Sequence, residues 1–298
     1  MNIDKQINPS SALENSATSH IEKGLLPFSP PTIEAFEGGD EHYATFPDRE
    51  CRQDAFRVAQ AIAELLKLEN VPNVILVDRG ARPLYIGLIE YWGAKYAKSQ
   101  KPNIYFLNPL GFVNQETCSR DEIHKRSIMT YWGGEASEKE ISGTKSKKEV
   151  IEEFQRAYPN LLKDKDKPLV IFDTRIHTGQ TLLPVMQILK ELGFVDVRVV
   201  TSSKPDPLFN SPVKADYFVS DRELHLVYDL TSDHELDSAC YPFGQDKMVK
   251  KQEEYIYSIP NKDQKDIAKS VQIRKELHSI MAAGLAWLNK NDQLKSST

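Results

Sequence analysis

From about residue 51 to residue 200 the chain alternates short, unbroken apolar runs with longer stretches of helical period. The runs at 74–77, 104–107, 169–172 and 195–200 read as strands, being continuously apolar and too short for helices. Before the first of them Phe56, Val58, Ala59, Ile62, Ala63, Leu65 and Leu66 recur with helical spacing and predict a covering helix that ends near Leu68. Further helices are expected over 83–97 and 182–192. Strands apolar on both faces, separated by helices of ten or more residues, indicate an α/β fold with a doubly wound, mainly parallel sheet.

Outside that frame the signal is weaker. Residues 1–48 are rich in Ser, Asn, Pro and Glu and predict a mobile or loosely packed extension, with an apolar patch (Leu25 to Phe28, then Pro30, Pro31 and Phe36) able to dock on the body. Residues 111–167 form a long polar insertion, helical only at 147–158, of the kind that serves as a lid or is disordered. Candidate strands at 217–219 and 224–228 could pair as a hairpin. Ile273, Leu277, Ile280, Met281, Leu285 and Leu288 have the spacing of a packing helix. The division expected is therefore an extension (1–48), a core (49–235) and a C-terminal hood or packing segment (236–298).

Composition narrows the function classes. Of 298 residues 40% are hydrophobic and 27% charged, and the net charge of −5 predicts neither nucleic-acid nor membrane partners; a small molecule is expected, with a homodimer possible. Cys51, Cys118 and Cys240 lie far apart without metal-ligand spacing and read as reduced thiols. No stretch approaches a signal peptide or a membrane span, so a cytoplasmic location is expected.

The chemistry concentrates in LVIFDTRIHTGQTLL, residues 169–183. A buried strand ends in Asp173, a Thr-Gly-Gln-Thr turn follows and a helix opens. Ligands in open parallel sheets bind at the carboxyl ends of strands, and free N–H groups of a first helical turn, approached closely beside glycine, make a phosphate cradle. Thr178 and Thr181 can add hydroxyl donors, and Asp173 can accept from ribose hydroxyls. The plainer alternative is a helix cap. Upstream, NVILVDRGARPLYIG (73–87) repeats the design: a strand, Asp78, then Arg79-Gly80-Ala81-Arg82-Pro83 leading into a helix.

The downstream run resembles the phosphoribosyl pyrophosphate motif of type I phosphoribosyltransferases: four apolar residues, two acids, variable positions, then Thr-Gly-x-Thr. The resemblance implies that family's fold, Mg²⁺ as cofactor, Asp173 on the ribose 2′- and 3′-hydroxyls and so only indirectly on the metal, Thr174 beside it as a substrate-binding candidate, and His177, Thr178, Gly179, Gln180 and Thr181 around the 5′-phosphate. It further implies a diphosphate loop at Arg79, Gly80, Ala81 and Arg82. Two positions depart from the pattern. Thr174 replaces the second acid, as in uracil phosphoribosyltransferases, which keep only the first; His177 stands where some members carry a catalytic Asp, and reads either as an acid or base or as an exposed loop residue. Residues 202–230 resemble, less specifically, the base-binding region of the purine enzymes, with Lys204, Tyr217 or Phe218, and Asp229 as candidates; a surface lysine and core aromatics are the alternative. Cys-Tyr-Pro-Phe at 240–243 is a candidate part of the hood.

The expected function is transfer of phosphoribosyl between phosphoribosyl pyrophosphate and a nitrogenous base, the purine type being favoured, with Asp173 and His177 as catalytic candidates. The competing expectation is a non-catalytic regulator of the same fold that senses a nucleotide or phosphoribosyl pyrophosphate. A synthetase-like protein is a third, since such enzymes share the ribose-phosphate loop, but nothing here resembles their ATP-binding parts.

Overall fold

The computed structural model describes residues 21–37, 43–77, 81–96, 101–107, 147–176, 182–205, 211–222, 224, 249–250 and 264–296. The strands are β1 (Gly24–Leu25), β2 (Asn73–Val77), β3 (Asn103–Leu107), β4 (Leu169–Asp173), β5 (Val197–Ser203), β6 (Tyr217–Ser220) and β7 (Val249–Lys250). The helices are α1 (Arg49–Leu68), α2 (Arg82–Lys95), α3 (Lys147–Ala157), α4 (Leu182–Glu191) and α5 (Gln264–Ser296). The strands form one sheet in the order β1-β6-β5-β4-β2-β3-β7, all parallel except the antiparallel edge pair β3–β7.

Alternate strand residues point to two cores. Val74, Leu76, Ile104, Phe106, Val170, Phe172, Val200, Tyr217 and Val219 pack beneath α1, α2 and α5. Ile75, Val77, Leu107, Leu169, Ile171 and Val199 pack beneath α3 and α4. Burial on both faces is why the strands lack polar alternation, and it makes the sheet doubly wound.

Three expectations change. The part of the N-terminal extension that is described packs tightly: β1 joins the sheet beside β6, and Leu26, Phe36 and Phe46 are buried. Phe36 meets Phe56 of α1, which meets Tyr91 of α2 edge-on. Leu26 and Phe36 belong to the apolar patch expected to dock, and Phe46 adds a further anchor. Within the expected insertion, α3 and the turn after it bury Val150, Phe154, Tyr158 and Leu161, so residues from Lys147 onward cover one face of the sheet. β5 starts two residues later than its apolar run, because Val195 lies in the turn after Gly193 and is 76% exposed; it continues through Thr201, Ser202 and Ser203, which are buried. Tyr217 and Phe218 have parallel β5 on one side and β1 on the other, and of the expected partner strand only Leu224 is described. Residues 225–228 lie outside the described residues. Cys51 is buried and unbridged, while Cys118 and Cys240 also lie outside.

Candidate functional site

β2 and β4 are hydrogen-bonded neighbours in register from Asn73 opposite Leu169 to Leu76 opposite Phe172, so Val77 and Asp173 end at one level. From there the chain departs in opposite directions: β2 leads through α2 to β3, and β4 through α4 to β5, on the other side and the other face. This is a topological switch point, where doubly wound sheets leave a crevice. Neighbouring strands are about 4.8 Å apart, so the two loops begin side by side although Asp78 and Asp173 are 95 positions apart in sequence.

Ala81 is buried at the N-cap of α2, with Pro83 in the first turn, where its missing N–H costs nothing. Arg82 opens α2. Arg79, Gly80, His177, Thr178, Gly179, Gln180, Thr181 and Asp229 lie outside the described residues. α4 begins at Leu182, directly after the Thr-Gly-Gln-Thr segment, and runs back along the sheet, so its N-terminal end lies at the edge where β4 ends.

Asp173 closes β4. It keeps a little surface, but its carboxyl is enclosed by protein, and burial pushes it up to about 7 against the hydrogen bonds donated by the backbone N–H groups of Thr174 and Arg175. The next turn is pinned from β5, where both the Ser202 N–H, at 3.3 Å, and the Ser202 hydroxyl donate to the Thr174 carbonyl. Thr201, opposite Asp173 in register, donates to the Ser203 carbonyl at 2.8 Å, and the Ser203 hydroxyl accepts from the Leu224 N–H. Sequence reasoning missed these hydroxyl residues. Their signal is the Thr-Ser-Ser run that continues an apolar strand into buried ground.

Of the base-side candidates, the structure brings two together. The Lys204 N–H donates to the Ser220 carbonyl at 2.8 Å, and its ammonium lies 5.8 Å from the centre of the Phe218 ring. Tyr217 faces the opposite way, buried in the core under α1, with its hydroxyl directed at the Ile21 carbonyl. Adjacent strand residues point to opposite faces, so Tyr217 is a core residue and Phe218 the one beside Lys204. The strand of Phe218 lies two strand spacings, roughly 10 Å, from that of Asp173, and Lys204 follows the strand between them.

Among the described residues no three His, Cys, Asp or Glu side chains gather as a metal site, and no helix is long and apolar enough to cross a membrane. No family model matches the chain, and no curated protein matches it. Solved structures do. The chain is similar to a purine phosphoribosyltransferase from Pyrococcus horikoshii OT3, with 19% identity over 58% of this chain and 86% of that one, at a TM-score of 0.32. A hypoxanthine phosphoribosyltransferase from Staphylococcus aureus is 15% identical over 57% of this chain and 73% of its own, at a TM-score of 0.31. One from Trypanosoma cruzi, solved with its product IMP, is 14% identical over 57% and 75%, at 0.30. These are phosphoribosyltransferases, the family that the two loop motifs of this chain resemble.

Proposed function

We propose that this chain binds phosphoribosyl pyrophosphate at the shared carboxyl edge of β2 and β4 and transfers its phosphoribosyl group to a nitrogenous base. The observation that carries the reading is the level ending of those two strands at the switch point, one leading into Arg-Gly-Ala-Arg-Pro and the other into Asp-Thr and Thr-Gly-Gln-Thr. In the reaction the bond from the anomeric carbon to diphosphate breaks, a bond to the acceptor nitrogen forms, and positive charge develops on the ribose ring between the two. Ionised Asp173 accepts from both ribose hydroxyls and fixes the ring. The 5′-phosphate takes the amides and hydroxyls of residues 177–181 at the start of α4, and Arg79 and Arg82 with the Ala81 amide meet the departing diphosphate. Lys204 and Phe218, with Asp229, face the base, and His177 moves the acceptor proton. A divalent ion held mainly by substrate oxygens suits a site with one carboxylate, and Mg²⁺ would neutralise diphosphate charge there.

A second reading, a regulator that binds the same ligand without turnover, is favoured by Thr174 in place of an acid. The test is diphosphate release from phosphoribosyl pyrophosphate and Mg²⁺ with a panel of nucleobases, run on the wild type, Asp173→Asn and Thr174→Asp alongside binding measurements. An enzyme should turn over one base class, lose on the order of 10²-fold or more in Asp173→Asn, and gain little in Thr174→Asp. Binding without turnover in all three selects the regulator; absence of binding rejects both.

A further inference from the structure

The setting of Asp173 is made by a residue on another strand. The pairing of β4 with β2 stops at Phe172, opposite Leu76, whereas its pairing with β5 continues to Asp173, opposite Thr201. The turn after Asp173 therefore has a paired strand on one side only. From that side two donors of Ser202 meet on one oxygen: its N–H at 3.3 Å and, nearer, its hydroxyl both donate to the Thr174 carbonyl. Ser202 is 2% exposed. A hydroxyl buried that deeply needs a protein partner, and bulk water does not reach it to serve instead.

The carbonyl of Thr174 and the N–H of Arg175 belong to one planar trans peptide and point in opposite directions. Fixing the oxygen from one side fixes where the N–H points on the other. That N–H donates to the Asp173 carboxyl, as does the N–H of Thr174. An aspartate that accepts from the amide two residues on forms an Asx turn, which sets side chain and backbone together. The path is continuous, from the Ser202 hydroxyl through the Thr174 carbonyl and the Arg175 N–H to the Asp173 carboxylate. Hydrogen bonds joined in this way polarise and strengthen one another.

We infer that Ser202 is a positioning residue: by holding the Thr174–Arg175 peptide it keeps the Asp173 carboxylate in one orientation, ready to accept from ribose hydroxyls, and so favours a ribose over a 2-deoxy sugar. The inference rests on the proposed function for the ribose; the hydrogen-bond path does not. A carboxylate oriented before the ligand arrives avoids an ordering cost on binding.

Hydrogen exchange and calorimetry on the full chain test this. In ligand-free Ser202→Ala the Arg175 amide should exchange about five-fold faster, the factor that corresponds to about 1 kcal/mol of a neutral hydrogen bond, while the amides of Val170, Ile171 and Phe172 keep their rates. Ser202→Thr, which retains the hydroxyl, should restore the Arg175 rate. With ribose 5-phosphate as the probe, Ser202→Ala should weaken binding about five-fold, and with 2-deoxyribose 5-phosphate by less, since one of the two hydroxyls is gone. The loss should vanish in an Asp173→Ala background, where no carboxylate remains to be positioned. An Arg175 amide that exchanges as in the wild type overturns the inference. So does a rise shared equally along β4, which would make Ser202 merely structural, or a loss of affinity as large in Asp173→Ala as in the wild-type background. If the wild type binds neither sugar phosphate while the exchange pattern is as expected, the proposed function falls and the positioning of Asp173 by Ser202 stands.

Discussion

Burial raises the Asp173 carboxyl to about 7, whereas an unfolded chain titrates near the ordinary aspartate value of about 4. The folded state therefore holds the proton more tightly, and the contribution of this group to stability is full below pH about 4, is lost as pH rises to about 7, and is flat above. Asp173→Asn lacks that loss. Its melting temperature should gain on the wild type between pH 4.5 and pH 8 by the equivalent of about 1–3 kcal/mol; a difference that stays constant would show the carboxyl already ionised in the folded protein. Ligand binding reverses the preference, because only the carboxylate accepts from both ribose hydroxyls. Affinity for phosphoribosyl pyrophosphate should accordingly rise through pH 7 in the wild type by more than in Asp173→Asn, which isolates the protein's proton from the ligand's own. Stability and binding are thus drawn to opposite sides of neutrality by one atom group.

At the level of elements, β2, β3 and β4 were legible because burial on both faces leaves continuous apolar runs. The end of β5 was not, since buried Thr201, Ser202 and Ser203 read as polar loop until their partners on Thr174, Ser203 and Leu224 are seen. The ribose motif at Asp173 was legible through its strand, acid and Thr-Gly-x-Thr order. Helix packing supplies a further prediction. A Cβ at Gly284 of α5 would overlap the Phe56 ring of α1, and one at Gly87 of α2 would lie 2.9 Å from the Ala59 Cβ. Both glycines let helices approach closely. Gly284→Val should lower stability by about 1–3 kcal/mol in a denaturant titration, since overpacking outweighs the helix propensity gained. An exposed control, Gly93→Val, meets nothing and should cost less.

Across the whole molecule, residues far apart in sequence are closed into one body by Glu276 of α5. Its carboxylate, 2% exposed, accepts from the N–H groups of Ala44, Thr45 and Phe46 at 2.9–3.0 Å and from the Gln272 side chain at 2.7 Å. Glu276→Ala would strand three donors just ahead of α1, and should cost about 2–4 kcal/mol in thermal or chemical denaturation, with Glu276→Gln recovering part. Retention of wild-type stability in Glu276→Ala would mean that water replaces the carboxylate without loss. The same clasp orders events during synthesis. A ribosome delivers α1, α2 and every strand before α5, so the apolar face around Phe56 and Ala59 waits uncovered until more than two hundred residues separate it from the emerging chain. Nascent chains stalled before α5 should therefore engage chaperones that bind exposed apolar surface, and release them once α5 has cleared the exit tunnel.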